Sequence, residues 1–164
     1  MDGEGRYTRD IFISWDELHR DPRELCRRLL ERGERFERLV AVTRGGLIPA
    51  AVVARELDLR LVDTICVLSY HGGQGREQTA AELLKAPEGD GAGWLLVDDL
   101  VDTGRTASVV RARLPQALFA TVYAKPEGRP STDLCVLEIP QSTWVRFPWD
   151  TELSFAVPLV ERDP

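Results

Sequence analysis

The sequence predicts an α/β domain built on a mainly parallel sheet flanked by helices. First, short apolar runs recur at Leu39–Val42, Leu61–Tyr70, Trp94–Val97 and Leu118–Ala124, the second dense in β-branched residues. Second, segments with helical spacing or helix-forming composition stand between them, the alternation of a parallel sheet with crossover helices. Third, the polar and Gly-bearing loops Thr43–Gly46, Tyr70–Arg76 and Asp98–Thr106 each follow a strand. Ligands bind such sheets off the carboxyl ends of their strands, so the three loops converge on a candidate site.

Taken in order, residues 1–9 are polar and Gly-bearing and read as a loose arm, with one domain over 10–164. Ile11–Ile13 reads as a short strand. Ser14 or Asp16 can cap a helix carrying Trp15 and Leu18. Asp21-Pro22-Arg23-Glu24 supplies a second start signal, a cap followed by Pro and then Glu. Leu25, Cys26, Leu29 and Leu30 then share one helical face, and Gly33 ends the run. The Leu39–Val42 strand feeds Thr43-Arg44-Gly45-Gly46, and Ile48–Leu57 reads as a packed helix. After the strand ending at Tyr70, His71–Arg76 holds three glycines in six residues and is expected to be mobile. Glu77–Lys85 reads as a short helix, Glu88–Gly93 as a turn, and Thr106–Leu114 as a helix. Short apolar pieces broken by prolines follow Lys125-Pro126.

The bulk properties narrow the function. With 164 residues, 43% of them hydrophobic, the chain suits one domain with a full core. A formal charge of -6 and scattered arginines argue against nucleic acid as a partner. Cys26, Cys66 and Cys135 are far apart and form no CxxC pair, so neither a zinc site nor a disulfide framework is suggested, and a reducing cytoplasm fits. The N-terminus lacks the apolar segment of a signal peptide, and no run reaches the ~18 apolar residues of a membrane span.

The stretch Leu95–Ala107, LLVDDLVDTGRTA, carries the chemistry. Asp102-Thr103-Gly104-Arg105-Thr106 enters a helix, where free backbone N–H groups and the helix dipole favour a phosphate. Thr103 and Thr106 add hydroxyl donors, and Gly104 permits close approach. Taken alone, the loop reads equally well as an ordinary helix cap. Asp98 and Asp99 change that reading. Carboxylates beside a phosphate repel it unless sugar hydroxyls or Mg²⁺ intervene, so a ribose phosphate with a metal fits the whole stretch.

This stretch resembles the phosphoribosyl-diphosphate motif of type I phosphoribosyltransferases. Thr43–Pro49, Lys125–Pro130, Ile139-Pro140-Gln141, Thr143-Trp144 and Pro148-Trp149-Asp150 resemble the bacterial xanthine-guanine members, in the same order along the chain. The resemblance covers about Asp10 to Val160. It implies the type I fold, with a small base-binding hood formed by terminal segments. It implies a salvage reaction, in which guanine, xanthine or hypoxanthine displaces pyrophosphate from 5-phosphoribosyl 1-diphosphate and a purine nucleoside monophosphate forms. By the same resemblance, Asp98 and Asp99 hold the ribose hydroxyls and Mg²⁺, with Asp150 assisting the metal. Residues 102–106, Arg105 included, cradle the 5-phosphate, and Asp102 faces the purine N7. Arg44 and Gly45 meet the pyrophosphate, and Arg76 closes over it. Lys125 donates to O6 and so disfavours adenine, Trp144 stacks on the base, and the Val145 carbonyl receives a 2-amino group. Arg105 departs from the family, whose xanthine-guanine members carry Gly there. The resemblance further implies a homo-oligomer, a tetramer or a dimer, in the cytoplasm or at the inner membrane face. The alternative is a non-enzymatic regulator that senses phosphoribosyl diphosphate through the same fold.

Overall fold

The computed structural model describes residues 7–68, 81–150 and 159–161. Their elements are β1 (Arg9–Phe12), α1 (Trp15–Glu31), β2 (Arg38–Thr43), α2 (Leu47–Glu56), β3 (Val62–Leu68), β4 (Glu82–Lys85), β5 (Trp94–Val101), α3 (Arg105–Arg113), β6 (Leu118–Ala124), β7 (Leu134–Glu138) and β8 (Thr143–Arg146), with short 3-10 turns between and after them. Six strands form the main sheet in the order β4-β3-β2-β5-β6-β7, parallel except where β4 runs antiparallel to β3. Helices α1 and α2 cover one face through Leu18, Leu25, Leu29, Ala50 and Val53. Helix α3 covers the other through Ala107 and Val110, with Leu114 just past its end. β1 and β8 form a separate parallel pair, Ile11 opposite Val145. The expected mainly parallel α/β architecture is the observed one.

Helix α1 starts at Ser14. The Ser14 hydroxyl accepts from the Glu17 N–H at 3.1 Å, and the Glu17 carboxylate accepts from the Ser14 N–H at 2.8 Å, closing a capping box. The second start expected at Asp21-Pro22 does not occur, and one helix runs through Pro22. Pro22 deprives the helix of one N–H, a loss the burial of this turn outweighs. Both Asp21 and Pro22 are buried, and the Asp21 carboxylate accepts from the Tyr123 hydroxyl at 2.6 Å and from Arg20 Nε at 2.8 Å. The Asp21 side chain therefore bonds to β6 instead of capping a helix. Ser14→Ala should lower stability by about 1 kcal/mol, read as a shift in urea midpoint at unchanged slope. An unchanged midpoint would show that the box contributes nothing.

Two other expectations are corrected. The helix expected over Glu77–Lys85 is, from Glu82 on, strand β4, and residues 77–80 lie outside the described residues. The free edge of β3 supplies backbone partners that a short isolated helix would lack. β5 does not end at Val97 but runs to Val101, because β6 continues to pair with it as far as Ala124. Of the arm expected over residues 1–9, Arg9 opens β1, and the Thr8 N–H donates to the Ser142 carbonyl at 2.8 Å.

Candidate active site

The sheet order reverses between β2 and β5: from β2 the chain adds β3 to one side, from β5 it adds β6 and β7 to the other. Such a switch point leaves a crevice at the carboxyl ends of the strands. β2 pairs with β5 only as far as Ala41 opposite Val97, and a cavity of about 330 Å³ opens just past that point.

The carboxylates come first. Asp98 and Asp99 both line this cavity from within β5. Asp98 is 9% exposed, and its carboxylate accepts from the Asp99 N–H at 2.9 Å. The Asp99 carboxylate accepts from the Leu100 N–H at 2.6 Å. Asp99 also packs against Gly45 in the loop after β2, where any side chain would overlap its carboxylate. Burial, and then the neighbouring Asp99 charge, raises the Asp98 carboxyl well above the usual range. Burial likewise pushes Asp99 up to about 6. Asp150 also lines the cavity; burial raises its carboxyl, with the Arg44 and Arg146 charges opposing. Arg44 follows a cis Thr43–Arg44 peptide bond. Arg44 and Gly45 are not among the lining residues, and their link to the site runs through Asp150 and Asp99.

The loop Asp102–Gly104 and the first turn of α3 make the next wall. Gly104 caps α3 at φ 85°, the left-handed region that favours glycine. A side chain there would also meet Ser131 Oγ at 2.7 Å. The start of α3 thus brings its backbone and the positive end of the helix dipole to the cavity wall, beside the Thr103 and Thr106 side chains. Arg105 lines the cavity too and is exposed.

The far end is built from three chain regions. Lys125, just after β6, is 1% exposed and pairs with Asp102 at 2.9 Å. Gln141 donates to the other Asp102 oxygen at 2.6 Å, and the Tyr7 hydroxyl donates to the Lys125-bound oxygen at 2.8 Å. Lys125 Nζ lies 4.5 Å from the centre of the Tyr7 ring, a cation–π contact. The Tyr7 and Trp144 rings meet at 70° with centroids 4.9 Å apart. Trp144 is 40% exposed, which leaves ring surface for a planar ligand, and Val145 and Phe147 continue the wall.

The structure thus brings together Asp98, Asp99, Asp102, Thr103, Gly104, Arg105, Thr106, Lys125, Trp144, Val145 and Asp150 around one cavity. Arg76 and the rest of the His71–Arg76 loop lie outside the described residues. Sequence reasoning missed Tyr7, which sits in the segment read as a loose arm. It gave Gln141 no role, although the residue lies inside a quoted motif. No periodicity marks either one; both reach Asp102 only through the fold. Among the described residues, no group of three or more potential ligands is arranged to hold a metal by itself.

A switch-point cavity with two buried carboxylates at a strand end and a small-residue loop opening a helix defines a phosphoribosyl-transfer domain. The chain belongs to the phosphoribosyl transferase family, whose domain model matches residues 14–156. Within that family it is similar to xanthine-guanine phosphoribosyltransferases. That of Desulfotalea psychrophila is 55% identical over 158 residues, covering 96% of this chain and 97% of the relative. That of Chromohalobacter salexigens is 54% identical over 157 residues, covering 96% and 94%. Among solved structures, the purine phosphoribosyltransferase of Pyrococcus horikoshii superposes with a TM-score of 0.70 at 26% identity, covering 93% of this chain and 99% of that one. Among the described residues, no helix is long and apolar enough to cross a membrane.

Proposed function

We propose that this chain transfers the 5-phosphoribosyl group from phosphoribosyl diphosphate to N9 of guanine, xanthine or hypoxanthine, releasing pyrophosphate. One observation carries the reading. The cavity has a carboxylate pair and a phosphate-ready helix start at one end, and a buried Lys125–Asp102 pair beside Trp144 at the other. The first end suits a ribose phosphate and the second a polar, planar base. The names of relatives at 54–55% identity favour an enzyme over the regulator reading.

The roles follow from the placements. Asp98 and Asp99 accept from ribose hydroxyls, and Thr103–Thr106 cradle the 5-phosphate with N–H and hydroxyl donors. Arg44 and Gly45 flank the pyrophosphate, and Arg76 is assigned to it by sequence position alone. Lys125 donates to O6, Trp144 stacks on the ring, and the Val145 carbonyl accepts from a 2-amino group. N9 attacks C1 of the ribose as the bond to pyrophosphate breaks, and Asp102 accepts the proton from N7. The donor set fits Mg²⁺: Asp98 and Asp99 would offer it hard carboxylate oxygens, and a cation there would offset the burial that disfavours their charged forms. Asp150 stands beside them. Two or three carboxylates leave coordination places for water and substrate oxygens, the usual way Mg²⁺ is held. When bound, it neutralises charge on the diphosphate leaving group. One domain over 10–164, a homo-oligomer and a cytoplasmic location belong to the same proposal.

Incubation with phosphoribosyl diphosphate, Mg²⁺ and each purine in turn tests it. Nucleoside monophosphate should form with guanine, xanthine and hypoxanthine and far more slowly with adenine. Adenine turned over at a guanine-like rate would overturn the base assignment. No nucleotide with any 6-oxopurine would overturn the reading itself.

A further inference from the structure

We propose that Tyr7 is a tethered plug, occupying the base half of the cavity until a purine displaces it. The inference rests on the base subsite proposed above and adds a means of regulating it.

A purine in that subsite needs two polar contacts, a donor for O6 and an acceptor for N7–H. Both are already taken, and Tyr7 takes part in each. Lys125 Nζ sits over the Tyr7 ring at 4.5 Å, and the Lys125 side chain is 1% exposed, too little for a carbonyl to reach the ammonium. The Tyr7 hydroxyl donates at 2.8 Å to the same Asp102 oxygen that Lys125 meets at 2.9 Å. Gln141 occupies the other oxygen. The phenol takes the base's place rather than its pose: its ring meets Trp144 edge to face at 70°, its face covers the lysine, and its O–H donates to the carboxylate assigned to N7–H.

The plug is built to move. Tyr7 lies two residues ahead of β1, and the Thr8 N–H to Ser142 contact anchors the chain just behind it. Rotation ahead of Thr8 can carry the ring away while the β1–β8 ladder keeps its register. An arriving purine then replaces each contact: N7–H takes the place of the phenolic O–H at Asp102, and a hydrogen bond to O6 replaces the cation–π contact of Lys125. The competition weakens base binding by the fraction of time the site is open; closure for about nine-tenths of the time weakens it roughly tenfold.

The test uses the full chain with Tyr7→Ala and Tyr7→Phe, reading hypoxanthine affinity by calorimetry alongside KM for both substrates. Tyr7→Ala should bind hypoxanthine roughly tenfold more tightly. Tyr7→Phe, which keeps the ring but loses the bond to Asp102, should fall between it and the wild type. KM for phosphoribosyl diphosphate should stay within about twofold, since the Asp98–Asp99 end keeps its contacts. Weaker hypoxanthine binding by Tyr7→Ala would overturn the plug and make Tyr7 a wall of the subsite. Equal binding by all three proteins would overturn it as well. Binding is read apart from turnover. Tighter binding by Tyr7→Ala with no nucleotide formed would support the plug while overturning the transfer reaction.

Discussion

Lys125→Ala is expected to lower kcat/KM for guanine by about a hundredfold, and to narrow the gap between guanine and adenine. The ammonium is fully buried, and its partner is the carboxylate assigned to N7. Facing O6, it replaces water's hydrogen bond with a charge-assisted one. Facing the 6-amino group of adenine, it sets donor against donor. A site built around a hydrogen bond rejects the mismatched base far more strongly than an apolar pocket rejects a changed shape. Alanine removes both the reward and the penalty, so guanine loses more than adenine. Lys125→Met, which keeps most of the stem that fills the space by Tyr7, separates the lost charge from lost packing. Steady-state kinetics with both bases reads the outcome. A wild-type kcat/KM for guanine in Lys125→Met would place O6 elsewhere.

Asp99→Asn is expected to lower turnover by about a hundredfold and yet to stabilise the ligand-free chain by about 2 kcal/mol at neutral pH. Burial pushes the Asp99 carboxyl up to about 6, so the folded protein holds that proton more tightly than the unfolded chain does. The stability this supplies is complete below the ordinary carboxylate range and is lost as pH rises through about 6. Asp98, raised in the same direction by burial and by the Asp99 charge, adds to the loss. Asparagine has no proton to lose, and its side-chain oxygen can still accept from the Leu100 N–H. Urea midpoints at several pH values between 4.5 and 8 should therefore fall for the wild type and fall less for Asp99→Asn. Parallel profiles would mean that the buried carboxylate costs the fold nothing. Excess chelator should abolish wild-type activity; full activity in its presence would remove the metal from the proposal.

Where local pattern and tertiary environment agree, the sequence was readable. β6 spans Leu118–Ala124 as its apolar run suggests, and α3 starts one residue before its expected Thr106. The phosphate loop and the acid pair lie within one short segment, so their proximity needed no fold to reveal it. The failures share a cause. Asp21-Pro22 carries a sound start signal, but the Tyr123 hydroxyl holds Asp21 inside a longer helix. Glu82–Lys85 follows the open edge of β3 rather than its own helix propensity. Tyr7 and Gln141 bond to Asp102 from 95 and 39 residues away, distances at which no period or spacing speaks.

The β1–β8 pair joins Arg9 to Thr143, so the hood closes a loop that contains the entire six-stranded sheet. The thermodynamic cost of that length is small, since loop entropy grows only with the logarithm of the chain enclosed. Its kinetic cost is larger, because contacts of high sequence separation form after the local ones that bring their ends together. The phosphate loop between β5 and α3 belongs to the early, local class, and the wall carrying Trp144 and Val145 to the late one. The two halves of the cavity are therefore expected to assemble at different stages of folding, an order that pulsed hydrogen exchange during refolding would read. An incompletely folded chain can carry a formed anion site with no place for a base beside it.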